Sequence, residues 1–99
     1  MAGPPRFVAE APLYILDTMY YVYVLRSLSN GKRYTGFTTK YPQIRLTEHN
    51  EGKNFYTRNN GPFKLIHFEI FQDKVKAKKR ELFFKTGQGR RFLDKIIPP

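Results

Sequence analysis

Apolar and polar positions alternate with a period of two in two short runs, residues 20–26 (YYVYVLR) and 33–38 (RYTGFT). Both are rich in aromatic and β-branched residues, which fit a pleated, half-buried surface. Asn30-Gly31 lies between them, and both residues accept the positive φ that a type I′ hairpin turn requires. A two-residue turn there pairs Ser29 with Lys32, Ser27 with Tyr34 and Leu25 with Gly36. Alternation then puts Tyr21, Tyr23, Leu25 and Ser27 on the same face as Tyr34. Two phenols on one face of one sheet can pack as core or line a cleft; of the first pair, Tyr21 can be the packing residue while Tyr23 lines the cleft.

The rest of the pattern predicts a small domain. Pro42 suits the first turn of a helix, where its missing N–H costs nothing, and the helix runs to about Asn50 before Gly52 ends it. Residues 51–62 (EGKNFYTRNNGP) read as a polar loop. Residues 63–71 (FKLIHFEIF) read as a third strand with Ile66, Phe68 and Ile70 on one face. Asp73 is an N-cap for a helix over 74–85. Gly87-Gln88-Gly89 reads as a break before a short helix from about Arg90 to Ile96, ended by Pro98. The order ββαβαα predicts an α+β fold, a three-stranded antiparallel sheet flanked by helices.

Residues 1–18 read differently, with Pro4, Pro5 and Pro12 interrupting regular structure. They are expected to be an N-terminal extension, dispensable for the domain over 19–99. Residues 13–16 (LYIL) are nonetheless apolar enough to pack on the body or add an edge strand.

Composition narrows the chemistry. Ninety-nine residues with 16% aromatic content allow one modest core, since each ring buries a large area. There is no cysteine, which excludes disulfides and thiolate metal sites, and two histidines are too few for a His-only cluster. Any metal ligand is therefore expected to be a carboxylate holding a hard cation. No run is long and apolar enough for a membrane span, and a cytoplasmic location is expected. Eighteen basic against eight acidic residues give +10, and the whole surplus lies in residues 19–99. Such a charge attracts polyanions, nucleic acid first; a basic surface kept for solubility or for ribosome association is the competing reading.

Arg45 and His49 stand at i and i+4 on the first predicted helix and are surface neighbours. A guanidinium fork suits phosphate, and an imidazole holds or takes a proton near neutral pH. A solvated basic face with Glu48 as partner accounts for the same spacing. Glu81 is the only acid between Lys74 and Arg91 in a strongly basic stretch. It is either an ion-pair partner of Lys78 or Lys85 or a carboxylate that reaches a divalent cation. Lys53, Tyr56 and Arg58 in the polar loop are candidates for holding phosphate or stacking on a base. His67, mid-strand, reads as structural, and Asn50 as a helix C-terminal residue.

Tyr21-Val22-Tyr23, Tyr34-Thr35-Gly36, Arg45-x-x-x-His49-Asn50 and Arg80-Glu81, in that order, resemble the GIY-YIG nuclease superfamily over residues 19–99, closest to its small single-domain bacterial-type branch. The departures are Tyr21-Val22 in place of Gly-Ile and Thr35 in place of the middle isoleucine. Neither removes a functional group.

The resemblance implies a metal-dependent endonuclease that hydrolyses phosphodiester bonds, with DNA ahead of RNA as substrate. It implies Glu81 as ligand of one Mg²⁺ or Mn²⁺ and Tyr34 as proton acceptor or water positioner. Arg45 would stabilise charge on phosphorus, His49 would assist proton transfer, and Tyr23 would orient water or phosphate. A protein partner supplying specificity is also expected, because members of this size lack an extra targeting domain. The alternatives are a non-cleaving nucleic-acid-binding domain of the same fold and a basic protein bound to RNA or the ribosome.

Overall fold

The computed structural model describes residues 18–55 and 57–99. The expected extension therefore falls, save for Thr18, outside the described residues, as does Tyr56. The elements follow the expected order: β1 (Tyr20–Ser27), β2 (Arg33–Thr38), α1 (Pro42–Asn50), β3 (Phe63–Phe71), α2 (Lys74–Phe84) and α3 (Gly87–Ile96). The strands form one antiparallel sheet in the order β2-β1-β3, so the fold is the α+β arrangement that the pattern predicts.

The central place of β1 explains its unbroken apolar run. Val22, Tyr23, Val24 and Leu25 are each no more than 1% exposed, because both faces of the strand are covered. Val22 and Val24 pack with Ala77 and Phe84 of α2, Leu93 of α3 and Ile97. On the other face Tyr23 and Leu25 pack with Phe63, Leu65, Tyr34 and Leu46 of α1. Full burial of an aliphatic side chain such as Leu25 contributes about 1.5–3 kcal/mol.

The hairpin differs from expectation in register but not in face. Leu25 pairs with Tyr34 and Tyr23 with Gly36, two residues away from the pairing that a two-residue turn gives. The cause is Ser27. Its hydroxyl accepts from the backbone N–H of Ser29 and of Asn30, and its carbonyl accepts from Gly31 N–H at 2.9 Å. Those bonds wind residues 28–31 into a longer loop in which Gly31 alone takes a positive φ, +77°. A two-residue slip preserves parity, so Tyr34 still shares a face with Tyr23.

In β3 a bulge interrupts the pairing with β1 between Val24 and Leu25. Strict alternation puts Ile66 with Phe68 and Ile70, but the extra residue sends Ile66 into the Val22/Val24 core. Phe68 and Ile70 stay on the Tyr23 face, pairing with Tyr23 and Tyr21.

Asp73 caps α2 as expected, its carboxylate accepting from Val75 N–H at 2.8 Å and Lys76 N–H at 3.1 Å. The glycines after it do not break the chain. Thr86 caps α3 by accepting from Gly89 N–H at 3.0 Å, and the helix begins at Gly87. A Cβ at Gly89 would lie 1.8 Å from the Phe83 carbonyl oxygen, so glycine is what lets the two helices meet this closely.

Candidate active site

Tyr23 is the innermost member of the site. Its hydroxyl is hydrogen bonded to His49 Nε2 at 2.9 Å, joining the central strand to α1. Gly36 opposite leaves room for it: a Cβ there would stand 2.3 Å from the phenolic oxygen. Burial, partly offset by the Arg45 charge, pushes the Tyr23 phenol up to about 12, so it keeps its proton.

His49 is 1% exposed and bonded at both nitrogens. Its Nδ1 lies 2.7 Å from the hydroxyl of Thr57, which is itself buried. Burial, reinforced by Arg45, drives the imidazole down to about 4, which leaves it neutral at ordinary pH.

Thr57 is carried by the loop over 51–62, and the sequence pattern left it unmarked. Two sets of bonds hold that loop. Asn50, expected only as a helix end, clamps Phe63 by accepting from its N–H at 2.7 Å and donating to its carbonyl at 3.0 Å. The Asn60 carbonyl accepts from the Ser27 hydroxyl at 2.6 Å and the Ser29 hydroxyl at 3.2 Å. The hairpin turn and the loop thus brace each other.

Arg45 and Tyr34 stand in front of the buried pair. The Arg45 guanidinium faces the Tyr23 hydroxyl, and its Nη1 is held at 2.6 Å by Glu48, which also takes Lys40. Hydrogen bonds from Lys40 and then Arg45 hold the Glu48 carboxyl at about 2. The half-buried Tyr34 ring lies 5.1 Å from the His49 ring and 6.4 Å from that of Tyr23. Tyr34 belongs to two adjoining grooves, one with Thr57, Asn60 and Phe63, the other with Thr35, Lys85 and Arg90.

Glu81 approaches from elsewhere. Helix α2 covers the Val22 face, opposite to Tyr34, but Glu81 lies on the side of the helix turned to the free edge of β2. Lys78, one turn before it, sits over the Phe37 ring at 4.5 Å, and Lys85, one turn after it, lines the groove beside Tyr34. The Glu81 carboxylate takes Lys85 at 3.0 Å and Lys78 at 3.5 Å. Its charge adds the smallest part of the upward push on the Tyr23 phenol. Among the described residues no three His, Asp or Glu side chains gather into a metal cluster.

Of the loop candidates, Lys53 and Arg58 fall within the described residues. Lys53 is exposed and pairs with Glu51 at 3.2 Å, and the Arg58 guanidinium stacks 4.9 Å from the Phe55 ring, which is 78% exposed. Arg33 and Arg90, which sequence reasoning passed over, line the groove with Tyr34; Arg33 could have been marked as its neighbour in the strand. His67 is structural as read. It bonds Glu69 at 2.9 Å, and Glu69 in turn holds Arg80 at 2.8 Å against the Phe84 ring.

Comparison with known proteins bears on the same stretch. The family model described as the GIY-YIG catalytic domain matches residues 19–92. A UPF0213 protein of Clostridium perfringens is 41% identical over 68 residues, covering 68% of this chain and 71% of that one. One from Staphylococcus haemolyticus is 38% identical over 78 residues, 78% of this chain and 93% of that one. One from Halobacterium salinarum is 44% identical over 68 residues, 68% and 86% of the two chains. The solution NMR structure of a UPF0213 protein from Bacillus halodurans is 32% identical, covers 79% of this chain and 84% of its own, and superposes with a TM-score of 0.49.

Proposed function

The chain belongs to the GIY-YIG catalytic-domain family, a nuclease family, and from that premise we propose that it is a metal-dependent endonuclease acting on nucleic acid, DNA before RNA. The observation that carries the reading is the Tyr23–His49 bond at 2.9 Å, with the Arg45 charge acting on that phenol and Tyr34 packed against His49. A buried phenol needs one hydrogen-bond partner; an imidazole that itself is buried and neutral, with a guanidinium charge acting on the same phenol, is more than packing asks for.

Glu81 fits the part of metal ligand. It is a hard oxygen donor, mostly buried, next to the groove-lining Lys85; Lys78 and Lys85 now hold its two oxygens and would have to give way to a cation. A cation with one protein ligand keeps several waters and takes the substrate's phosphate, which is the habit of Mg²⁺; Mn²⁺ is the other candidate. When bound, it would neutralise charge on the scissile phosphate.

The remaining work falls to the chain's own groups. Arg45, preset by Glu48, offers N–H donors to the non-bridging oxygens as charge develops on phosphorus. Tyr34, open to both grooves, positions the attacking water and, once its own phenolic proton has left to solvent, takes up the water's proton as phenolate. Tyr23 and His49, for which the resemblance implied orienting water or phosphate and assisting proton transfer, are instead each 1% exposed behind them, and their part becomes fixing Arg45 and Tyr34 in place. The basic groove beside Tyr34 supplies phosphate contacts through Lys85 and Arg90. A partner protein would supply target choice.

The test is cleavage of duplex, single-stranded and branched substrates with Mg²⁺, Mn²⁺ or chelator, in the wild type and in Glu81→Gln. The amide is nearly isosteric and a poor ligand for a hard cation. Cleavage should need metal and vanish in Glu81→Gln, while binding in chelator persists. Cleavage that survives in Glu81→Gln would remove Glu81 from the metal site. Binding without cleavage in either metal would turn the reading to a non-cleaving binder.

A further inference from the structure

A neutral imidazole has one N–H, and His49 makes two hydrogen bonds, so its partners must divide donor and acceptor between them. On the Nε2 side the partner is Tyr23, whose phenol keeps its proton. The Arg45 guanidinium, which can only donate, faces the same phenolic oxygen. The Tyr23 O–H must therefore be donated elsewhere, and His49 Nε2 at 2.9 Å is placed to accept it. That leaves the ring proton on Nδ1, directed at Thr57 Oγ1 2.7 Å away. The Thr57 hydroxyl then passes its own hydrogen to the Asn54 carbonyl at 3.5 Å, within the same loop.

We propose that Thr57 is a positioning residue that fixes His49 as the Nδ1–H tautomer, keeping Nε2 as the acceptor of the Tyr23 hydroxyl hydrogen. Donation then runs in one direction, from Tyr23 to His49, Thr57 and the Asn54 carbonyl. Reversal of the histidine would aim two donors, Arg45 and Nε2–H, at Tyr23 and leave its O–H without this acceptor. The loop over 51–62, otherwise a connection between α1 and β3, thereby sets the polarity of the site from below. Its brace to Ser27 and Ser29 through Asn60 holds Thr57 at the required place.

The consequence for turnover rests on the nuclease reading, whereas the tautomer does not. The experiment therefore reads both, on the full chain. Imidazole ¹⁵N NMR of the wild type should show His49 protonated at Nδ1 and bare at Nε2 at neutral pH. Thr57→Val, close in shape but without the hydroxyl, should shift His49 towards the Nε2–H form, and Thr57→Ser should restore the wild-type spectrum. Cleavage by Thr57→Val should fall by about tenfold or more, within the ~10²-fold that a small misplacement of catalytic groups costs. The loss should appear in kcat, with KM little changed, and Thr57→Ser should recover most of it. A wild-type His49 protonated at Nε2 overturns the proposal without any variant, and so does a Thr57→Val protein with an unchanged tautomer. If the spectra behave as expected but no variant and no wild type cleaves any substrate, the Thr57 assignment stands and the nuclease reading fails.

Discussion

The phenolic oxygen of Tyr23 fills the space in which a side chain at position 36 would begin: a Cβ on Gly36 would meet it at 2.3 Å. The backbone of the edge strand is thus the floor on which the tyrosine rests. Strand pairing, ring packing and the His49 bond are satisfied together only if that floor is bare.

Gly36→Ala should force the Tyr23 ring aside and lengthen its bond to His49. Overpacking of this kind costs about 1–3 kcal/mol, and urea unfolding should register a loss of that size together with weaker cleavage. An alanine variant as stable and as active as the wild type would show that the ring has slack that the geometry does not suggest.

Acid should weaken the fold through His49. The unfolded chain protonates the imidazole below its ordinary 6.5, whereas the folded form does so only below about 4. Between those values the unfolded state holds more protons, so stability falls as pH drops through the window and the loss is complete below about 4. At ~1.4 kcal/mol per pKa unit the effect reaches at most about 3 kcal/mol. Unfolding curves at several pH values for wild type and His49→Gln check this, since the wild type alone should show that part of the slope. Equal slopes would put the titration elsewhere.

The two tyrosines should separate in mutation. Tyr23→Phe leaves the buried His49 Nε2 without its partner, which costs about 1–3 kcal/mol of stability. Tyr34→Phe keeps a half-buried ring at the groove and should change stability by less than about 1 kcal/mol while removing cleavage. Thermal melts and rates on both variants give the comparison; a Tyr34→Phe enzyme with full turnover would take the proton-accepting role from Tyr34.

Binding to nucleic acid should weaken steeply with salt. Each duplex phosphate neutralised by a lysine or arginine contributes a log–log slope of about −0.9. Lys85→Ala and Arg90→Ala should each shallow that slope by roughly one contact. Slopes that do not change would move the binding face away from the groove beside Tyr34.

What could be read in the sequence was what repeats with a short period. Alternation put Tyr23 and Tyr34 on one face, and a two-residue slip of the hairpin could not undo it, because parity survives even shifts. The slip itself was hidden, since Asn-Gly announces a tight turn while Ser27 captures the loop with bonds that no pattern displays. Asp73 and Pro42 were legible because capping is local. The Ile66 bulge, the Gly89 contact with Phe83 and the Asn50 clamp were not, for each depends on how two separate elements meet. Thr57 was the least visible, being one hydroxyl in a polar loop whose meaning comes entirely from the histidine above it.

The Asn50 carboxamide, bonded to both backbone groups of Phe63, closes the base of the 51–62 loop independently of what the loop contains. Loop-closure entropy then becomes a small matter, since doubling the length of a flexible loop costs only about 0.6 kcal/mol more. With the base shut by Asn50 and the far side stitched through Asn60, the exposed stretch at Glu51 and Lys53, ahead of the Asn54 carbonyl that holds Thr57, can lengthen without drawing Thr57 off His49. That stretch is the natural port for grafting: a recognition peptide, a fluorophore or a whole targeting module inserted there would ride on the scaffold and leave the tyrosine pair undisturbed.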